Sequence, residues 1–349
     1  MPNMLVSNPV VACSRATTTR IAAVAALAML SMLAGYAGSV TSADAAPRST
    51  PVDIRVLTAD GRTVADHRQY TADIGLRTDR RADCFGEGTG GSGKTVRVPG
   101  LTALGVLAQA ARHDKRLRPI QITDHDFGFP GLGLCGIGGP IPPGEFWFIK
   151  ADHENPQVSG DAAKVRPGGS VLWFRMPFTG CQPDPPYACA PELVLSAPAR
   201  TRPGAALQVR VTAYDDGGRR TPVAGARVTG AGQPTDARGR TTVTLGKSAR
   251  IRASLAGHVP SSLTAVCVNA RLAKCPPARG MRIIGSHVSD RIVGTRGPDL
   301  IRTGPGDNRV NVRGGGRDRV VCGGGRNVVI ADRSDALRGC GDGGRARRR

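Results

Sequence analysis

The sequence predicts a mainly β, multi-domain chain, and three observations carry that expectation. Short alternating or apolar runs recur along most of its length, separated by turns of Gly, Pro and Asp, and only one segment has clear helical periodicity. Nine-residue units repeat near the C-terminus. Eight cysteines beyond the N-terminal segment fall into four neighbouring pairs.

The chain begins with a targeting pattern. Arg15 and Arg20 precede a 14-residue apolar run from Ile21 to Ala34, broken only by Ser31. Small residues follow and end in Ala43-Asp44-Ala45-Ala46, which fits an A-x-A cleavage site and sets a signal peptide at 1–46. The run is shorter than the roughly 20 apolar residues a bilayer span needs. No Cys follows it to carry a lipid, and no second long apolar stretch occurs. The expectation is a chain secreted to the exterior or the cell envelope, with no transmembrane segment once the signal is removed.

Cysteine usage agrees with export. Cys13 lies in the signal, and an even number in an exported chain reads as disulfides. Pairing neighbours gives Cys84–Cys135, Cys181–Cys189, Cys267–Cys275 and Cys322–Cys340, although sequence alone leaves other connectivities open. No C-x-x-C pair is present to favour zinc.

The formal charge is +21 and the isoelectric point about 10.8. Such a balance raises nucleic acid or anionic surfaces as partners. Only six of the 48 basic residues are Lys, which reads as compositional bias rather than a designed patch, and aromatics at 4% are too few for a base-stacking platform. An anionic envelope or extracellular polymer is therefore the expected partner, with no specific nucleic acid.

Residues 47–180 read as an α+β module. Val52-Asp53-Ile54-Arg55-Val56-Leu57 alternates as a strand, and Thr95-Val96-Arg97-Val98 is another. Leu101 to Arg112 is the helix, with Thr102 as N-cap and Leu104, Leu107, Ala108 and Ala111 in one stripe. Pro119–Ile122, Glu145–Lys150 and Ser170–Phe174 read as further strands, the last two strongly aromatic. Pro99-Gly100-Leu101-Thr102-Ala103-Leu104, the Gly136-Ile137-Gly138-Gly139 turn, Phe146-Trp147-Phe148 and Arg166-Pro167-Gly168-Gly169-Ser170-Val171-Leu172-Trp173 occur in order. This series resembles the β-grasp family related to the C-terminal β-domain of cobalamin carriers. Gly168-Gly169-Ser170 stands where that family has Gly-Asp-Glu. The resemblance implies a binding module without catalysis, and hence a corrinoid-like small-ligand carrier as an alternative function. Trp147, Phe148 and Trp173 are the candidate pocket residues.

Residues 190–270 hold short strands at regular spacing, among them Leu207–Ala213 and Thr241–Leu245, which suggests a β-sandwich. Pro222-Val223-Ala224-Gly225-Ala226-Arg227-Val228 with Thr235-Asp236-Ala237-Arg238-Gly239-Arg240 resembles bacterial Ig-like and carboxypeptidase-regulatory-like domains, which implies a spacer or adhesion unit.

Residues 279–340 carry the nonapeptide repeat. Units begin at Gly285, Gly294 and Thr303 and, after an extra residue at Val312, at Arg313 and Cys322. Each has Asp or Asn at its sixth place and a β-branched residue two further on. This is similar to the calcium-binding nonapeptides of RTX (hemolysin-type) parallel β-rolls, here in degenerate form. It implies calcium as a cofactor, with Asp290, Asn308, Asp299 and Asp318 as candidate ligands through hard oxygen donors. Opposing this, residues from 279 onward hold 16 Arg against 7 Asp. Residues 341–349 read as a frayed basic tail.

Two other patterns lack context. Gly88-Thr89-Gly90-Gly91-Ser92-Gly93-Lys94-Thr95 spells a phosphate-binding loop, but a polar stretch precedes it and a strand follows, where the mechanism needs a strand before and a helix after. It reads as a Gly-rich hairpin loop. Asp124-His125-Asp126 and Asp152-His153-Glu154 lack metalloprotease spacing and no G-x-S-x-G elbow occurs, so a secreted hydrolase built on Asp124, His125, Asp152 and His153 is the third reading. The leading expectation is a non-enzymatic binding or adhesion protein.

Overall fold

Val52, Ile54 and Val56 alternate with Asp53 and Arg55, so the first strand has two unlike faces and needs a different partner on each. The structure, a computed structural model, describes residues 49–126, 131–177, 181–182, 188–340 and 345–348, without side-chain detail at 181, 182, 188 and 345–348. The expected signal segment lies outside these residues. Strand β1 (Thr50–Leu57) pairs antiparallel with β2 (Thr63–Thr71), and β3 (Ile74–Arg77) pairs with β4 (Thr95–Val98) across the Gly-rich loop. Helix α1 (Ala103–His113) follows. The Thr102 hydroxyl caps it by accepting the Gly105 N–H at 3.2 Å, and Arg112 and His113 sit where the helix dipole favours cations. Then come the hairpin β5 (Ile120–Thr123) with β6 (Gly133–Ile137), and the pair β7 (Glu145–Ala151) with β8 (Ser170–Pro177).

β8 returns parallel to β1, giving the order β2-β1-β8-β7. The region thus has a hairpin, a helix, and a last strand beside the first. One sheet face carries Val52, Ile54, Val56, Val171 and Trp173, which pack with Leu104 and Leu107 of α1 into a single core. The opposite face carries Leu57, Leu172 and Phe174, covered by Ala190 and Val259 from the next part of the chain.

That part begins after the short pair β9 (Cys181–Gln182) and β10 (Ala188–Cys189). In one sheet β13 (Ala206–Tyr214) is central, flanked by β11 (Glu192–Ser196), β14 (Arg220–Pro222) and β16 (Arg240–Thr244). The facing strands are β12 (Arg200–Thr201), β19 (Thr264–Val268) and β17 (Ala249–Ile251), with the pair β15 (Arg227–Val228) and β18 (Ala253–Ser254). Leu207, Val209, Val211 and Val243 face Ile251, Ala253 and Val266 in one sandwich core, which alternation along β13 and β16 produces.

The repeat winds into a two-sheeted parallel roll. β20 (Arg282–Ile284), β22 (Leu300–Arg302), β24 (Arg319–Val321) and β26 (Ala336–Arg338) form one sheet. β21 (Arg291–Val293), β23 (Arg309–Asn311), β25 (Val328–Ala331) and β27 (Arg345–Arg348) form the other. Two nonapeptides make one coil, so Ile283 pairs with Ile301 eighteen residues on. Ile301 pairs with Val320, nineteen on, because Val312 is accommodated inside that coil. The middle residue of each three-residue strand points inward, and Ile283, Ile292, Ile301, Val310, Val320 and Val329 form the roll core. Residues 345–348 correct the expectation of a frayed tail: β25 offers an open strand edge, and the tail backbone pairs with it in parallel.

The first coil is not an open end. β20 pairs parallel with β2, through Arg68 with Ile283 and Gln69 with Ile284, so the first sheet and one roll sheet are continuous over eight strands. Tyr70 inserts into the roll core, and the buried Gln69 side chain donates to the Gly285 carbonyl at 3.0 Å. β2 is thus the N-terminal cap that a solenoid needs, and the described residues pack as one compact unit.

Candidate functional site

The sixth-place residues of the repeat turn inward and stack in two rows, one at each edge of the roll. Asp290, Asn308 and Asn327 form the first row, and Asp299, Asp318 and Asp335 the second. All six are at most 4% exposed. All but Asp318 close their own turns: Asp290 accepts the Ser286 N–H and hydroxyl, both at 2.7 Å, and Asp299 accepts the Thr295 N–H and hydroxyl. Asp299, Asn308, Asp318 and Asp335 also accept a backbone N–H from the coil before, as Asp318 does from Asp299 at 2.7 Å. The sequence candidates Asp290, Asp299, Asn308 and Asp318 are therefore split two and two rather than gathered around one centre.

The rows differ in chemistry. Asn308 donates from its amide nitrogen to the Gly306 carbonyl at 2.9 Å and to the Asn327 side chain at 2.8 Å. In this row an N–H occupies the place beside the turn carbonyls where a cation would sit, so it does not fit calcium. In the second row every member is a carboxylate. The Oδ2 of Asp318 is buried with no hydrogen-bond partner among the described residues. Burial, with Asp299, Asp335 and Asp332 nearby, pushes its pKa up to about 6. Asp335 and Asp332 were not legible from the nonapeptide spacing, because Val320 pairs with Leu337, only seventeen residues on.

Charge is sorted across the roll wall. The stacked acids lie inside, whereas Arg291, Arg302, Arg309, Arg319 and Arg338 stand on the outer faces, exposed. Arg291 and Arg309 are register neighbours on adjacent strands, about 4.8 Å apart at the backbone. Of the exposed roll arginines, only Arg326 has an acidic partner, Asp307 at 3.4 Å, among the described residues. Like charges held side by side repel.

The other candidates find structural partners. Trp147 and Phe148 are neighbours on β7, so alternation sends them to opposite faces: Trp147 packs on the helix side and Phe148 against Phe174 on the other, ring centroids 5.8 Å apart. Trp173 is 1% exposed in the core, its indole N–H donating to the Ala103 carbonyl at 3.2 Å. The three do not share a pocket, which corrects the expectation of one. Asp124 anchors the Gly-rich loop by accepting the Ser92 N–H and hydroxyl, each at 2.6 Å. Asp152 accepts the backbone N–H groups of Arg166 and Ser170, both at 2.9 Å. His125 donates its backbone N–H to Thr123. His153 stacks on Tyr214 and bonds Glu192 at 2.8 Å, and Glu192 also holds Arg55 at 2.7 Å. Burial raises the Glu192 carboxyl, but Arg55, His153 and Lys150 outweigh it and hold the pKa below the ordinary value.

Disulfides join Cys84 to Cys135, Cys267 to Cys275 and Cys322 to Cys340. Cys189 is also disulfide-bonded and pairs in register with Cys181, whose side chain lies outside the described residues. Among the described residues no helix is long and apolar enough to cross a membrane.

The chain is thus a mainly β, disulfide-bonded protein of several sheets. No family model matches it, nor does any curated protein or solved structure.

Proposed function

We propose that this is an exported, non-enzymatic binding protein that adheres to an anionic envelope or extracellular polymer through the outer faces of its roll. The observation that carries the reading is the sorting of charge across the roll wall. Asp290, Asp299, Asp318 and Asp335 are buried inside, while arginines without acidic partners stand on the outer faces, Arg291 and Arg309 of them at strand spacing. The Arg291 and Arg309 forks, about 4.8 Å apart at the backbone, suit neighbouring carboxylates or phosphates of a polymer. The N-terminal pattern and the disulfides support export. The test is passage of the full chain over immobilised polygalacturonate and over neutral dextran. Retention by the acidic polymer alone, released by salt, supports the reading, and equal behaviour on both columns contradicts it.

Calcium has a narrower place. Asp299, Asp318 and Asp335 with the neighbouring Asp332 would hold the ion, since the buried, unpartnered Oδ2 of Asp318 is an oxygen in want of a cation. There it would brace the turns and leave the arginine faces untouched. Millimolar Ca²⁺ is expected to raise the melting temperature of the full chain, and Asp318→Asn to abolish that rise. An equal rise in the variant contradicts the assignment.

A further inference from the structure

A cleft of about 830 Å³ opens where the first sheet, the sandwich and the first roll coils meet. Its charges do not cancel. Six arginines line it against three carboxylates. Arg55 is taken up by Glu192 at 2.7 Å and Arg68 by Asp53 at 2.8 Å, while Arg116 pairs with Asp114 outside the lining. Arg279 is spent on the backbone carbonyls of Ala197, Pro198 and Ala265.

Two cations remain. Arg250 on β17 and Arg282 on β20 have no acidic partner among the described residues, and the Nε of Arg282 is buried without any hydrogen bond. Asp66 reaches the same space from β2. Its side chain is exposed, and Ser262 lines the same cleft. Leu300 and Leu263, both partly exposed apolar side chains, form a wall.

We infer that this cleft is a binding site for an anionic saccharide unit, with its acidic group on Arg250 and Arg282, a hydroxyl on Asp66, and the C–H face of the ring against Leu300. Guanidinium forks match carboxylate and phosphate alike. A carboxylate acceptor beside an apolar wall matches a ring that is polar at its rim and apolar on its face. The ligand class rests on the polymer-binding reading, but the residues are a separate set.

The experiment is calorimetric titration of the full chain with a uronic acid trimer, with a sugar phosphate as the second anionic probe and maltotriose as the neutral control. Binding of an acidic sugar and not of maltotriose is expected. The stronger of the two acidic probes identifies whether the cleft takes carboxylate or phosphate. Arg250→Ser with Arg282→Ser is expected to weaken binding at least ~10-fold. Arg250→Ser alone, on an exposed side chain, serves if the double variant does not fold. Unchanged affinity in the variants, or no uptake of either acidic sugar by the native chain, overturns the inference. Arg291→Ser with Arg309→Ser separates the two readings, because it should lower polymer retention and leave trimer binding intact. Trimer binding without polymer retention would keep the cleft and remove the roll as the adhesive face.

Discussion

Single buried charges decide much of this molecule's behaviour. The Arg55–Glu192 pair is under a tenth exposed on both sides, and His153 completes it. Removing one partner leaves the other charge uncompensated, so Glu192→Ala is expected to cost about 3 kcal/mol in denaturant unfolding. A loss below roughly 1 kcal/mol, the range of a surface pair, contradicts that account. His67 gives a pH dependence of definite sign. Burial is the main cause that drives its pKa down to about 4, with Arg282 and His113 adding to it and Gln69 and Asp114 opposing. The unfolded chain binds this proton near pH 6.5 and the folded chain only near 4. Stability should therefore fall as pH drops from about 6.5 to 4, by at most about 3 kcal/mol from this group. His67→Gln should flatten that fall, and an unchanged pH profile would exclude His67 as its source. None of these pairings was legible in the sequence. Arg55 and Glu192 are 137 residues apart, and only the fold brings them together.

At the scale of elements, sequence pattern carried further. The alternation of β1, the capped stripe of α1 and the nonapeptide period each act locally, so each was readable before any tertiary contact was known. The helix expected over 101–112 lies at 103–113, a shift within ordinary fraying of helix ends. Periodicity gave the inward residue of each roll strand, and the slip at Val312 appears as a nineteen-residue coil. What it could not give is which strand covers the roll's first coil, because β2 lies more than 200 residues upstream. Tyr70 is that cap's plug. Tyr70→Ala opens the end of the roll core and is expected to cost about 3 kcal/mol. The amides of residues 282–302 should then lose hydrogen-exchange protection first. Uniform loss across α1 and the roll would show that β2 has no special capping role. Aromatic identity misled in the other direction: Trp147, Phe148 and Trp173 look like one cluster in sequence, and strand alternation divides them.

As a whole molecule, the chain joins three sequence-distinct stretches through one eight-stranded sheet and a shared charged seam. The Cys84–Cys135 link closes a separation of 51 residues, worth about 4 kcal/mol in the chain-entropy picture, and the shorter links staple the sandwich and roll ends. The +21 charge, which composition alone presents as diffuse, acquires a direction once Asp290, Asp299, Asp318 and Asp335 are seen to be internal. The most direct test of polymer adhesion is the salt dependence of affinity for a polyuronate, compared between the native chain and the Arg291→Ser, Arg309→Ser, Arg319→Ser triple variant. Counterion release makes log affinity fall linearly with log salt, with a slope that scales with the number of contacts. The account predicts weaker binding and a shallower slope in the variant at unchanged melting temperature. An identical slope would mean that these outer arginines of the two roll sheets do not hold the polymer.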